Sequence, residues 1–265
     1  MTKQVTFTVL LVLASSLLAS AQGKSGPRHW PQAASLQEYN DYNAARAQTG
    51  GGALETAADD FAARYPASEL RAYLYSHALH AYQVEGNAPG ILAVGEKVLA
   101  LDPDNSIALA LKATAMADSI TSNDPDREQK IAQIRQDCAH ALKTVDSSFV
   151  VAAGVTREEI AAYKGALGSM VHSALGIMEL KTGNDSGAEK DLKTALNLDR
   201  LAGNPAIYYH LALAQDHQKK YSDALRSVEQ ALQLASSNPD LQQLAEKEHE
   251  HLQKLAGHRD QQGQQ

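Results

Sequence analysis

The chain has few residues that could cross-link its fold or attract nucleic acid. Cys138 is its single cysteine, so an intrachain disulfide is excluded and the fold must rest on packing. We expect Cys138 itself to be buried in a helix rather than reactive. The 24 Lys and Arg residues are outnumbered by 31 Asp and Glu residues, and the basic residues are dispersed. Because binding to a phosphate backbone needs clustered Lys and Arg, nucleic acid is disfavoured as a partner.

Signals for β-strands are nearly absent as well. Aromatic residues make up 5% of the chain, and alanine and leucine dominate its apolar content. Both residues favour helices over sheets. The composition therefore predicts an all-α protein.

The chain has no apolar run of the length that crosses a membrane. The run from Val9 to Leu18 covers about ten residues, whereas a spanning helix needs roughly 20. Lys3 precedes this run and Ala19-Ser20-Ala21 follows it, which is the pattern of a secretory signal peptide. We predict a signal peptide over residues 1–21 and a product exported to the periplasm or outside the cell, with no stable membrane insertion after cleavage. The pattern favours bacterial export and leaves a eukaryotic secretory route open.

Glycines and prolines divide the remainder of the chain. Residues 22–35 contain two of each and are predicted to be a flexible leader. Residues 36–66 are predicted to form a divergent first helix pair, with Gly50-Gly51-Gly52 as its linker. A helical domain is then predicted over residues 67–257, followed by a disordered, Gln-rich tail over residues 258–265.

The helical domain repeats one pattern of large and small residues. The first helix of each clear pair carries it at the same offsets, in Tyr75, Ala78, Leu79 and Tyr82, in His172, Leu175, Gly176 and Glu179, and in Tyr208, Leu211, Ala212 and Gln215. The second helices carry apolar or small residues at Ile91, Gly95 and Val98, at Ala188, Leu192 and Ala195, and at Ala224, Val228 and Ala231. Small residues let helix backbones approach closely, and leucines fill the gaps between them.

This pattern resembles the tetratricopeptide repeat (TPR), most specifically at Leu175-Gly176 and at Tyr221, Ala224 and Ala231. The resemblance extends from about Leu70 to Leu255. It implies an all-α, right-handed α-solenoid of TPR-like antiparallel helix pairs with a C-terminal capping helix. A degenerate pair is expected from Ser106 to Ala141, and residues 157–181 are expected to form one long helix or two short ones.

Motifs for catalysis are missing. The chain contains no nucleophile elbow, zinc-protease motif or phosphate-binding glycine loop, so we predict a non-catalytic protein without a cofactor. The alternative is a helical enzyme or metal-binding protein that uses Glu246, His249 and Glu250, or His77 and His80. For both sets, an ordinary surface or packed histidine is the preferred interpretation.

The TPR resemblance implies that one face of each first helix lines a groove for a partner. The residues it indicates are Tyr73, Ser76, His80, Gln83, Met170, Ser173, Ile177, Lys181, Ala206, Tyr209, Leu213, Asp216 and His217. The resemblance thus implies a scaffold or adaptor that binds a protein or an extended peptide. Self-association into a structural component of an envelope assembly is a further alternative. The Lys and Asn set with which some family members hold the acidic tail of a chaperone is missing at these positions.

Overall fold

A computed structural model of the chain describes residues 30–147, 154–198 and 203–262. The predicted signal peptide and most of the predicted leader lie outside these residues. All regular structure in the described ranges is helical. The α-helices are α1 (Leu36–Arg46), α2 (Gly51–Arg64), α3 (Arg71–Val84), α4 (Ala88–Leu101), α5 (Ser106–Ser119), α6 (Arg127–Thr144), α7 (Arg157–Lys181), α8 (Asp185–Leu198), α9 (Pro205–His217), α10 (Tyr221–Leu234) and α11 (Pro239–Gln262).

The chain divides into two compact units. The N-terminal unit comprises the described residues up to Met116 together with Gln136–Lys164, and the C-terminal unit comprises Ala117–Arg135 and the described residues from Gly165 onward. Within each unit, helices that are consecutive in sequence pack on each other, as α2, α3 and α4 do in the first unit and α8 to α11 do in the second. No helix within the three described ranges combines the length and the apolar character that a bilayer span requires.

Short connections at 85–87, 182–184 and 218–220 join the two helices of each clear pair. Connections this short reverse the chain, so the paired helices are antiparallel. Asn87 and Asn184 begin the second helices, and their side chains accept hydrogen bonds from the amides of Gly90 and Gly187, which are unpaired donors at a helix start. The prediction of an all-α, TPR-like fold built from helix pairs is confirmed.

Tyr82 packs against two neighbouring helices of the N-terminal unit. Its ring lies so close to α2 and α4 that a Cβ atom added at Gly51 or Gly90 would lie 2.2 or 2.5 Å from it. Its hydroxyl donates a hydrogen bond to Glu55 at 2.7 Å. The interpretation of Gly50-Gly51-Gly52 as a linker is therefore wrong: Gly51 is the first residue of α2 and is buried, because only glycine leaves room there for the Tyr82 ring.

Small residues bring the helices of the C-terminal unit together. A Cβ atom at Gly176 would lie 2.6 Å from Leu192 Cγ, so the close approach predicted for Gly176 is confirmed. Ala188, Leu192 and Ala195 of α8 form one buried cluster with residues of α7 and α9. The predicted choice between one long helix and two short ones is settled in favour of one, because α7 is continuous from Arg157 to Lys181. Helix α11 continues to Gln262.

The degenerate pair predicted between Ser106 and Ala141 corresponds to α5 and α6, which are separated by the segment from Ile120 to Asp126. Cys138 lies on α6 and is fully buried. This confirms the expectation that the cysteine is a packing residue. A thiol without access to solvent is a poor nucleophile.

Candidate interaction surface of the first helices

The predicted partner-binding residues of α3 differ in how much surface they offer. Tyr73 is only 9% exposed, so little of its ring is open to a partner. The Ser76 hydroxyl donates to the Ala72 carbonyl of its own helix at 2.7 Å. His80 is half-buried and Gln83 is exposed. The accessible part of this group is therefore the C-terminal turn of α3.

The neighbouring His77 is held as a neutral imidazole. Burial, followed by the charges of Arg46 and His80, lowers the pKa of His77 to about 4. In the described residues, no three His, Cys, Asp or Glu side chains are grouped so that they could hold a metal ion. His249, the centre of the other metal candidate, lies with Nε2 3.7 Å from Glu229 of α10. Neither histidine set therefore gives the metal-binding alternative any geometric support.

The predicted residues of α7 are mainly packed. Met170 and Ser173 are half-buried and Ile177 is buried, whereas Lys181 is exposed. The Lys181 amine donates to the Asp118 carbonyl, and the Lys181 carbonyl accepts from Arg127 Nη2 at 3.1 Å. Desolvation lowers the pKa of Lys181, and the charge of Asp118 opposes this shift. These contacts hold Lys181 at the end of α7, inside the C-terminal unit.

The predicted residues of α9 lie on two sides of that helix. Ala206, Tyr209, Leu213 and Asp216 are half-buried, and His217 is exposed. His217 Nδ1 lies 2.8 Å from Asp185 Oδ1. His251 Nε2 of α11 lies 3.4 Å from Asp216 Oδ2. Tyr209 and Asp216 thus adjoin α11, a helix that the sequence predicted only as a cap.

Helices α9 and α11 both pack on α10 and also contact each other. The inner face of α11, with Ala245 and Leu252, belongs to the buried cluster that it forms with α10. Leu244, Glu248 and His251 follow one another at helical spacing along the neighbouring edge, the edge that adjoins α9. We call the surface where the two helices meet the α9–α11 furrow. Its residues are Tyr209, Asp216, Leu244, Glu248 and His251.

The electrostatics of the α9–α11 furrow are dominated by carboxylates. Burial and then the charge of Asp216 raise the pKa of Glu248, while His251 and His217 oppose this shift. Burial and then the charge of Glu248 raise the pKa of Tyr209. Glu248 Oε1 is shielded from solvent and has no hydrogen-bond partner among the described residues. An oxygen in this state loses the hydrogen bonds that water would give it.

Sequence reasoning missed a polar cluster between α7 and α8. Asp191 lies with Oδ1 2.8 Å from His172 Nδ1, and its charge acts on Glu179. Asn184 donates to Glu179 Oε1 at 3.2 Å. Burial, then the charge of Asp191, raise the pKa of Glu179.

A shallow groove between α1 and α2 was also missed. Its volume is about 210 Å³, and it is lined by Asp41, Ala44, Ala45, Gln48, Ala57, Asp60, Phe61 and Arg64. Asp41 accepts from Arg64 at 3.0 Å and from Tyr65 at 2.7 Å. These contacts pair the Asp41 carboxylate at the edge of the groove. What remains for a ligand is mainly a small alanine-lined surface.

Comparison with known proteins finds similarity to solved structures. No family model matches the chain, and neither does any curated protein. The crystal structure of a thermophilic TPR protein of Thermus thermophilus is similar at 18% sequence identity and a TM-score of 0.45, over 80% of this chain and 93% of that one. The helix pairs and their residue pattern, described above, define the class of this chain: a TPR-like helical-repeat protein.

Proposed function

We propose that this chain is a non-catalytic scaffold or adaptor that binds a protein or an extended peptide through the α9–α11 furrow. The observation that carries the proposal is the combination, in the furrow, of a half-buried tyrosine with an unpaired, shielded carboxylate oxygen. Tyrosine offers a large, rigid contact surface with one hydroxyl group and is enriched among residues that dominate binding energy. The packed helices beneath it fix this surface before a partner arrives, which lowers the entropic cost of binding.

Selection from a displayed library of random dodecapeptides tests this proposal. Peptides enriched on the wild-type chain should bind Tyr209→Ala about tenfold more weakly, as a truncated central aromatic contact does. Tyr39→Ala is the matched control, because Tyr39 is 53% exposed on α1, far from the furrow in the sequence and in the other unit. Circular dichroism must show that both variants are as helical as the wild type. If no peptide is enriched, or if the enriched peptides bind Tyr209→Ala as tightly as Tyr39→Ala, the proposal fails.

We also propose that the chain acts in the cell envelope or outside the cell. The support is the signal-peptide pattern in residues 1–21, which lie outside the described residues. The test is expression of the full chain in a bacterial host, followed by fractionation and N-terminal sequencing. Export predicts a mature chain that begins at Gln22 in the periplasm or the medium. An uncleaved chain in the cytosol would contradict it.

A further inference from the structure

Among the described side chains, neither carboxylate of the α9–α11 furrow, Asp216 or Glu248, forms an ion pair with a lysine or arginine. Their nearest positive partners are imidazoles, of which His251 lies 3.4 Å from Asp216 and His217 is already engaged by Asp185. Imidazole carries its charge only below or near neutral pH. The α9–α11 furrow therefore carries negative charge that a cationic group of a partner can neutralise.

Part of that charge lacks a hydrogen-bond donor at Glu248. Among the described residues, nothing donates to its shielded Oε1 atom, although native proteins pair the great majority of such atoms. A buried acceptor without a donor destabilises the folded state. Because Glu248 as a whole is only half-buried, a partner can reach its carboxyl group and supply a donor, and a charged donor would do so most effectively.

Apolar surface lies directly beside the carboxylates. Leu244 is one helical turn before Glu248 on the same edge of α11 and is 46% exposed. Tyr209 is half-buried across from Glu248. The stem of a lysine or arginine packs on such apolar and aromatic surface while its charged end stays polar. An acidic side chain would meet repulsion here instead.

We infer that the α9–α11 furrow takes a peptide segment in which a lysine or arginine adjoins an apolar residue. The cationic group pairs with Glu248 and Asp216, and the apolar side chain lies against Tyr209 and Leu244. This inference rests on the proposed function, because it names the chemistry of the peptide that the same surface binds.

The dodecapeptide selection also tests the inference. The enriched peptides should share a Lys or Arg next to an apolar residue. Glu248→Gln should weaken their binding about tenfold, the loss of roughly 1.4 kcal/mol that one charge-assisted contact supplies. Glu250→Gln should leave binding unchanged, because Glu250 is exposed and, two residues further along α11, lies away from the furrow. Replacing the basic residue of the peptide by methionine should remove the difference between wild type and Glu248→Gln.

Different outcomes of the selection test the inference and the proposed function separately. Enriched peptides that lose affinity for Tyr209→Ala, yet lack basic residues or bind Glu248→Gln and Glu250→Gln equally, would overturn the inference and keep the proposed function. Enrichment of acidic peptides would overturn it in the same way. If no peptide is enriched, the proposed function fails and the inference fails with it.

Discussion

The first helices α3 and α7 place different chemistry at the same repeat positions. Tyr75 and Tyr82 of α3 occupy the positions that His172 and Glu179 occupy in α7. In α3, the two tyrosine hydroxyls donate to Asp59 and Glu55 of α2, each at 2.7 Å. In α7, the histidine and the glutamate both meet Asp191 of α8. The repeat position thus determines which side chains face a neighbouring helix, but it does not determine whether those side chains are polar or apolar.

The two arrangements differ in how their charges are balanced. Lys97 of α4 lies 2.9 Å from Glu55 and 2.7 Å from Asp59, so the carboxylates that face α3 have both hydroxyl donors and a cation. Glu179 instead lies within the influence of another carboxylate, Asp191, whose charge adds to burial in raising the pKa of Glu179. We therefore expect the contacts around α3 to tolerate alkaline pH and those between α7 and α8 to weaken there.

The largest effect is expected from removing the Tyr82 ring. Tyr82→Ala empties the space against Gly51 and Gly90 and should lower the free energy of unfolding by about 3–5 kcal/mol. Tyr82→Phe keeps the ring and loses only the hydrogen bond to Glu55, so it should cost about 1 kcal/mol. Urea denaturation followed by circular dichroism measures both. Equal losses in the two variants would show that the ring is not the main source of packing.

A smaller, pH-dependent effect is expected at Glu179. Because the pKa of Glu179 is raised in the folded state, its stabilising contribution is present at low pH and is lost as the pH rises through that folded-state pKa. Glu179→Gln removes the negative charge that burial and Asp191 make unfavourable at high pH. At pH 8 the variant should therefore unfold at a higher Tm than the wild type, by about 1 kcal/mol of stability, and this advantage should vanish at pH 4.

Glu250→Gln serves as the control for Glu179→Gln, since it removes an exposed carboxylate from the same unit. Its Tm should follow that of the wild type across the pH range. A Glu179→Gln profile parallel to the wild type would show that ionisation of Glu179 does not affect stability.

The smallest effect is expected at Lys97. Lys97→Met removes the cation from an ion-pair network whose members are partly exposed, so the loss should stay below about 1 kcal/mol at pH 7. The pKa of Asp59 is lowered, because its bonds to Lys97 and Tyr75 outweigh its burial. This contribution is present above the unfolded-state pKa and disappears as the pH falls. The difference in Tm between variant and wild type should therefore shrink at pH 3, and a constant difference would contradict the network.

Local sequence signals predicted much of the fold, because helix periodicity and breakers act over a few residues. Leu175, Gly176 and Ala188 marked the contact between α7 and α8. The role of Gly51 could not be found in this way, since it depends on the Tyr82 ring from a distant part of the chain. A glycine in the first turn of a helix looks the same as one in a linker.

The sequence predicted only some of the residues that form the candidate site. The pattern of α9 indicated Tyr209 and Asp216, but Leu244 and Glu248 were hidden in a helix whose composition is that of a polar cap. Tyr73 shows the opposite limit, because its repeat position indicated a contact residue, whereas most of its side chain is buried. Periodicity identifies the faces of a helix, and only the neighbouring helices decide which of them stay open.

The most direct test of the central claim is photo-crosslinking with a peptide selected on the wild-type chain. A benzophenone amino acid placed at Leu244, in the furrow, is compared with the same group at Val84, which is 75% exposed in the other unit. Peptide binding in the α9–α11 furrow predicts a crosslink from position 244 that excess unlabelled peptide abolishes, and none from position 84. Equal crosslinking from both positions, or none from position 244, would contradict it.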